Sequence, residues 1–145
     1  MIIAVNHRRD GRAVRVAAGD AGAPAGWWDG RPFDRILADV PCTASGVVRR
    51  HPAVKWLRRE ADCESFSAQQ ARLLDALWAC LAPGGRLLYA TCSVFAAENE
   101  AQITAFVARH PEALRETLNF PAAVARRGAQ LLPSLPGASH NQDGY

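Results

Sequence analysis

Apolar residues cluster in three short runs, AVRVAAGD (13–20), FDRILADVP (33–41) and GRLLYATCS (85–93), each bounded by turn-forming residues. Runs of this length without strict alternation predict strands buried on both faces, as in a parallel sheet. Between and after them the period becomes that of a helix. From Ser67 the order Ser-Ala-Gln-Gln makes a capping box with Gln70. Leu73, Leu74, Leu77, Trp78 and Leu81 then recur at helical spacing until Pro83-Gly84-Gly85 stops the run. A second helix is predicted over 96–109. There Glu98 and Glu100 suit the positive N-terminal end, and Ile103, Phe106 and Val107 form an apolar stripe before Pro111. Strand, helix, strand, helix in this order predicts an α/β fold, a three-layer sandwich with right-handed crossovers.

Ligands of open parallel sheets bind beyond the carboxyl ends of the strands. Asp20, Asp39 and Cys92 fall at such ends, with Cys42 just beyond. One such acid is ordinarily a cap for the following turn. Two carboxylates and a thiol from three strands predict a shared rim. The segment GDAGAPAGWWDG (19–30) lacks the order of a dinucleotide-binding loop. Three clear strands, and a C-terminal QLLPSLPGASHNQDGY that stops as if a further strand were starting, predict part of a domain.

Composition changes this picture little. With 145 residues and 49% hydrophobic content the chain can build a core. No apolar run approaches the roughly 18–20 residues of a membrane span, and the N-terminal apolar block is short for a secretory signal, which predicts a cytoplasmic protein without membrane contact. Net charge is only +3, but 16 of the 17 basic residues are arginines, whose planar fork suits phosphate. In RRHPAVKWLRR (49–59), Arg49, Arg50, Lys55, Arg58 and Arg59 are interleaved with His51 and Trp56. That is the composition of a nucleic-acid contact surface, although a solvated face looks the same. If those charges meet single-stranded phosphates, log affinity should fall against log salt with a slope of about −3 to −4.

Cys42, Cys63, Cys80 and Cys92 form no C-x-x-C, so neither zinc nor a thioredoxin-like motif is indicated and no metal is expected. Free cysteine is only a few per cent thiolate near neutral pH and needs local activation to attack. Two positions compete for that role. Cys42 follows Pro41 in a loop beside Asp39, and Cys92 stands between Thr91 and Ser93 at a strand end shortly before a helix. Cys63 and Cys80 lie in or near helical stretches and read as fillers.

FDRILADVPCTASGVVRRHPAVKWLRR, QQARLLDALWACLAPGG and GRLLYATCSVFAAENEAQI together resemble the bacterial ribosomal RNA cytosine-C5 methyltransferases of the RsmB/Sun type. The likeness runs nearly from end to end and is strongest over 33–107. It implies a partial Rossmann-like fold of the class I S-adenosylmethionine-dependent methyltransferases, cut at both ends. Residues 1–145 would be the C-terminal portion of one catalytic domain. It implies S-adenosylmethionine as cofactor and small-subunit ribosomal RNA as partner. Cys92, in the Thr-Cys pair, would add to C6 of cytosine. Cys42, in the Pro-Cys pair, would act in product release, and Asp39 would bond the cytosine edge. Asp20, Asp39 and Pro41 would contact the cofactor, and Arg49, Arg50, His51, Lys55, Trp56, Arg58 and Arg59 the RNA.

The family's Ala-Pro-Gly-Gly loop, the acid that binds ribose and the N-terminal RNA-binding extension have no counterpart in the sequence. The 145-residue chain alone is therefore expected to be inactive or very weak. A noncatalytic RNA-binding remnant of the same fold is the alternative. An amino-group methyltransferase fits poorly, since Asp39-Val40-Pro41-Cys42 carries a thiol that direct attack by an amine does not need.

Overall fold

The computed structural model describes residues 2–6, 15–118, 126–127 and 130–131, with side chains over 16–118. In chain order the elements are β1 (Ile2–Asn6), β2 (Arg15–Gly19), β3 (Phe33–Asp39), α1 (Val54–Leu57), α2 (Glu60–Trp78), β4 (Leu81–Ala90), α3 (Glu100–Arg109), β5 (Arg126–Arg127) and β6 (Gln130–Leu131). The chain forms two compact units. One combines Met1–Ala38 with Arg72–Leu88, the other Asp39–Ala71 with Tyr89–Tyr145. Among the described residues no helix is long and apolar enough to cross a membrane.

In the first unit β1 and β2 form an antiparallel ladder running from Ile2 opposite Gly19 to Asn6 opposite Arg15. This corrects one expectation. The run at 13–20 does form a strand, but it pairs with β1 rather than joining β3 and β4 among the described residues. Val16 accordingly stands exposed, not buried between layers. Beyond β2 the chain turns tightly: Gly22 N donates to Asp20 Oδ1 at 2.9 Å and Ala23 N to the Asp20 carbonyl. Trp27 lies over Gly19, where a Cβ would come within 2.8 Å of the indole. Its Nε1 donates to the Asp20 carbonyl, and its ring stacks on Phe33.

β3 and β4 pair with each other, and the bonds at their two ends establish a parallel direction. Phe33 N donates to the Cys80 carbonyl in the first unit, and Val40 N to the Ala90 carbonyl in the second. β4 covers more residues than β3 between those bonds. Pro83-Gly84-Gly85 absorbs the excess, and Gly84 takes φ 73°, which a side chain would oppose. The pair is not buried on both faces. Ala38 and Val40 are buried, while Leu37 is 69% and Leu88 47% exposed, so one face of this sheet is open among the described residues.

α2 begins at Glu60, not at Ser67. Its start uses an acid that the pattern reading passed over: Asp62 accepts from Arg59 N, and Glu60 and Asp62 both suit the positive helix end. Ser67 and Gln70 lie mid-helix and make no capping box, because each has a distant partner. Ser67 Oγ donates to the Ala97 carbonyl, and Gln70 Nε2 to the Pro41 carbonyl. Leu73, Leu74 and Leu77 are buried as their spacing predicts. The helix ends at Trp78, so Leu81 opens β4 instead. The second predicted helix is split. A 3-10 turn at Ala96–Glu98 is followed by α3, with Asn99 at φ −128° and ψ −100° between them. The expected strand start at Asp143-Gly144-Tyr145 lies outside the described residues.

Candidate active site

The second unit contains Asp39, Cys42 and Cys92. Asp39 is the last residue of β3 and is exposed, Cys42 is buried in the loop that follows, and Cys92 is half-buried just past β4. The parallel pairing of β3 and β4 brings both thiols to the same strand ends, and Cys42 Sγ lies 3.4 Å from Cys92 Sγ. Both are free cysteines. The Cys92 pKa is pushed up to about 12, first by burial, then by the hydrogen bond and charge of Cys42 and by the negative charge of Asp39. In the ligand-free protein this thiol holds its proton.

Backbone and side chains fix the two loops to each other. Gly46 N donates to the Cys92 carbonyl, and Val94 N to Ser45 Oγ. Ala44 occupies the left-handed region at φ 60°, a conformation that costs a residue with a Cβ about 1 kcal/mol or more. Beneath the thiols lies Glu98, which is 0% exposed. Its Oε1 accepts from Thr43 N at 2.8 Å and Gln70 Nε2 at 3.1 Å, and its Oε2 from the hydroxyls of Thr43 and Ser93, each at 2.5 Å. Four donors surround one carboxylate, so it is buried without being left unsatisfied. Gln70 donates to two acceptors at once, which fixes its amide orientation and leaves its buried Oε1 without a partner.

Asn99 completes the support. It accepts from Thr91 Oγ1 at 2.7 Å and donates to the Ser93 and Phe95 carbonyls. Tyr89 donates its hydroxyl to the Glu98 carbonyl. Burial, followed by the charges of Glu98 and Cys42, raises its pKa. Sequence patterning assigned Glu98 to a helix end and Gln70 to a cap, so it missed both as supports of the thiol loops. The available signal was the polar run Glu98-Asn99-Glu100 directly after the apolar residues 94–97.

The basic segment lies in the same unit. Trp56 is 83% exposed, with Lys55 Nζ 6.0 Å from its ring. Arg49, Arg50, His51 and Arg59 are also exposed. Arg58 is exposed as well but also makes contacts within the unit: its Nε donates to the Thr43 carbonyl at 2.9 Å, and its guanidinium lies 5.1 Å from the centre of the Phe66 ring. An open groove of about 420 Å³ runs past Thr43, Ser45, Lys55, Arg59, Cys63 and Phe95.

Asp20 has a different setting. Its carboxylate accepts from Gly22 N and pairs with Arg72 at 3.1 Å, and these two contacts lower its pKa. It belongs to the first unit and serves there as a turn cap and ion-pair partner. Cys80 is fully buried and donates to the Ala76 carbonyl. Cys63 lines the groove, and burial raises the pKa of both thiols.

Two solved structures match this chain and place its parallel strand pair within the Rossmann-like methyltransferase fold. The protein designated PH0851 superimposes with a TM-score of 0.62 and 38% identity, over 68% of this chain and 22% of that one. NSun6 from Pyrococcus horikoshii, solved with SFG, matches with a TM-score of 0.58 at 24% identity, over 88% of this chain and 32% of that one, and so supports the fold alone.

The chain belongs to the 16S rRNA methyltransferase RsmB/F family, whose model matches residues 1–145. It is 48% identical over 132 residues to ribosomal RNA small subunit methyltransferase B of Shewanella oneidensis, and 46% identical over 140 residues to the protein of that name from Salmonella arizonae. Those matches cover 91% and 97% of this chain, which spans only 30% and 31% of the relatives' length.

Proposed function

We propose that this chain carries the thiol chemistry of an S-adenosylmethionine-dependent methyltransferase acting on cytosine C5 in small-subunit ribosomal RNA. The observation that carries the reading is the pair of free thiols 3.4 Å apart, beside an exposed Asp39, at the ends of two parallel strands. Cytosine C5 is a weak nucleophile. Addition of a thiolate to C6 makes an enamine whose C5 is nucleophilic, and we assign that addition to Cys92. Asp39 bonds the cytosine edge and favours protonation at N3. Base binding that engages Asp39 withdraws one of the causes holding the Cys92 proton in place. After C5 has taken the methyl group, loss of the C5 proton and expulsion of the Cys92 thiolate restore the ring. The adjacent Cys42 acts in that release.

S-adenosylmethionine supplies the electrophilic methyl group. Asp39 and Pro41, both exposed at the end of β3, fit the polar edge and a flat face of such a ligand. Asp20, half exposed beside its Arg72 partner, keeps acceptor capacity for such a ligand. The target base must leave its stack, at a cost of a few kcal/mol in a duplex, and less in a loop. Exposed Trp56 and the surrounding cations offset part of that by stacking and phosphate contact. The relatives are about three times longer than this chain, so complete turnover is assigned to the long form.

The test uses RNA carrying 5-fluorocytosine at the target, with this chain replacing the matched region of the Shewanella oneidensis relative. A denaturation-resistant adduct should form and be lost in Cys92→Ser. Loss in Cys42→Ser instead would reverse the two thiol roles. Absence of an adduct with both thiols intact would leave the chain as a binding remnant.

A further inference from the structure

The residue after Cys42 and the residue after Cys92 both donate to one oxygen. Thr43 Oγ1 and Ser93 Oγ each lie 2.5 Å from Glu98 Oε2, and Thr43 N donates to the other oxygen of the same carboxylate. Gln70 ties that oxygen to the carbonyl of Pro41, the residue before Cys42. A side chain remote from solvent thus grips the backbone next to each sulfur. We infer that Glu98 is a positioning residue, which sets the separation of Cys42 and Cys92 by holding the two thiol loops on a single carboxylate.

Its purpose rests on the methyltransferase reading above, whereas its geometry does not. Two thiols that must act in succession on one base need a fixed mutual distance, and displacement by about 1 Å can cost a hundredfold in rate. Short backbone bonds between the loops, such as Gly46 N to the Cys92 carbonyl, leave the side chains free to turn. Glu98 fixes Thr43 and Ser93 by their hydroxyls as well, and so limits the rotation of both loop segments. Without it, the buried Thr43 amide would lose its acceptor and the Thr43, Ser93 and Gln70 side chains would each lose one of their partners, which opposes the present loop conformation.

Phenylarsine oxide reports the spacing directly. It condenses with two thiols to a dithioarsenite, releasing one water, and binds tightly only where two sulfurs are held close together. In the 145-residue chain, Cys42→Ser and Cys92→Ser should each abolish this tight binding. Glu98→Ala should weaken it about tenfold or more, because the second sulfur is no longer held at high effective concentration. Glu98→Gln keeps an acceptor oxygen and should restore most of the affinity. Thr43→Val and Ser93→Ala each remove one hydroxyl donor, and should weaken binding severalfold even if Glu98→Ala does not fold. Wild-type arsenical affinity in Glu98→Ala, or in both hydroxyl variants, overturns the role. A lowered melting temperature with unchanged affinity likewise reduces Glu98 to a stability element. The fluorocytosine trap reads a different event, so a missing adduct beside an intact arsenical response would discard the cytosine chemistry and not the clamp.

Discussion

Arg58 Nε donates to the carbonyl of Thr43 at 2.9 Å, joining the basic segment to the loop that carries Cys42. Its guanidinium also lies against Phe66, so its Nε and its flat face both have contacts. Arg58→Lys retains the charge but loses both contacts. The salt dependence of RNA binding should stay as in the wild type, while adduct formation with 5-fluorocytosine RNA slows about tenfold, the scale of one charge-assisted hydrogen bond. Lys55→Gln should do the converse and reduce the salt slope by about 0.7. Filter binding across a salt series and single-turnover trapping separate the two effects. Equal slope losses in both variants would place Arg58 on phosphate.

Trp56 has little to lose in stability and much to offer RNA. With 83% of its surface exposed, Trp56→Ala should leave the melting temperature nearly unchanged. Single-strand affinity should fall by about 1–3 kcal/mol, the usual value of one stacked base. Unchanged affinity would show that the indole stays in water in the complex.

The Cys92 pKa lies near 12 in the folded chain against 9.0 for an ordinary thiol. Because the folded value is the higher, the protonated thiol contributes stability that is fully present below pH 9. It is lost as pH rises toward 12, where the unfolded chain ionises first. Urea midpoints should therefore decline over that window, and less so in Cys92→Ser. Alkylation of Cys92 by iodoacetamide should lag behind that of free cysteine until strongly alkaline pH. Cys42→Ser, by removing one cause of the upward shift, should move that profile to lower pH. A Cys92 profile centred near 9 would contradict the burial argument.

Ala44 holds φ 60° between two residues of the hydroxyl network. Glycine removes the roughly 1–2 kcal/mol cost of the left-handed region but loses more entropy on folding. Ala44→Gly should thus raise unfolding free energy by about 0.5 kcal/mol, measurable by urea titration. A clear loss of stability would mean that the Ala44 methyl packs usefully.

Local patterns sufficed for β3, the later part of β4, the buried leucines of α2 and the approach of Cys42 to Cys92, one part of the expected rim, because apolar runs and strand ends leave marks within a few residues. Pairing did not show. The run at 13–20 has the composition of a central strand, yet its partner is Ile2–Asn6, a segment too short to reveal its role alone. Ser67 and Gln70 matched a capping box by spacing, and tertiary acceptors at Ala97, Pro41 and Glu98 outcompeted that local arrangement. Glu98 was the least legible residue. An acid near a helix start is ordinarily exposed, and nothing nearby in sequence announces that Thr43, fifty-five residues earlier, will meet it.

That separation also dictates an order of assembly. A chain made from its N-terminus at about 5–20 residues per second exposes Cys42 several seconds before Glu98 is synthesised. Closing so long a loop adds an entropic barrier that only the completed network repays. The network that holds the thiol pair is therefore complete only once residue 98 has been made. A nascent chain, however close to RNA on the ribosome that makes it, carries two ordinary cysteines until its last support arrives.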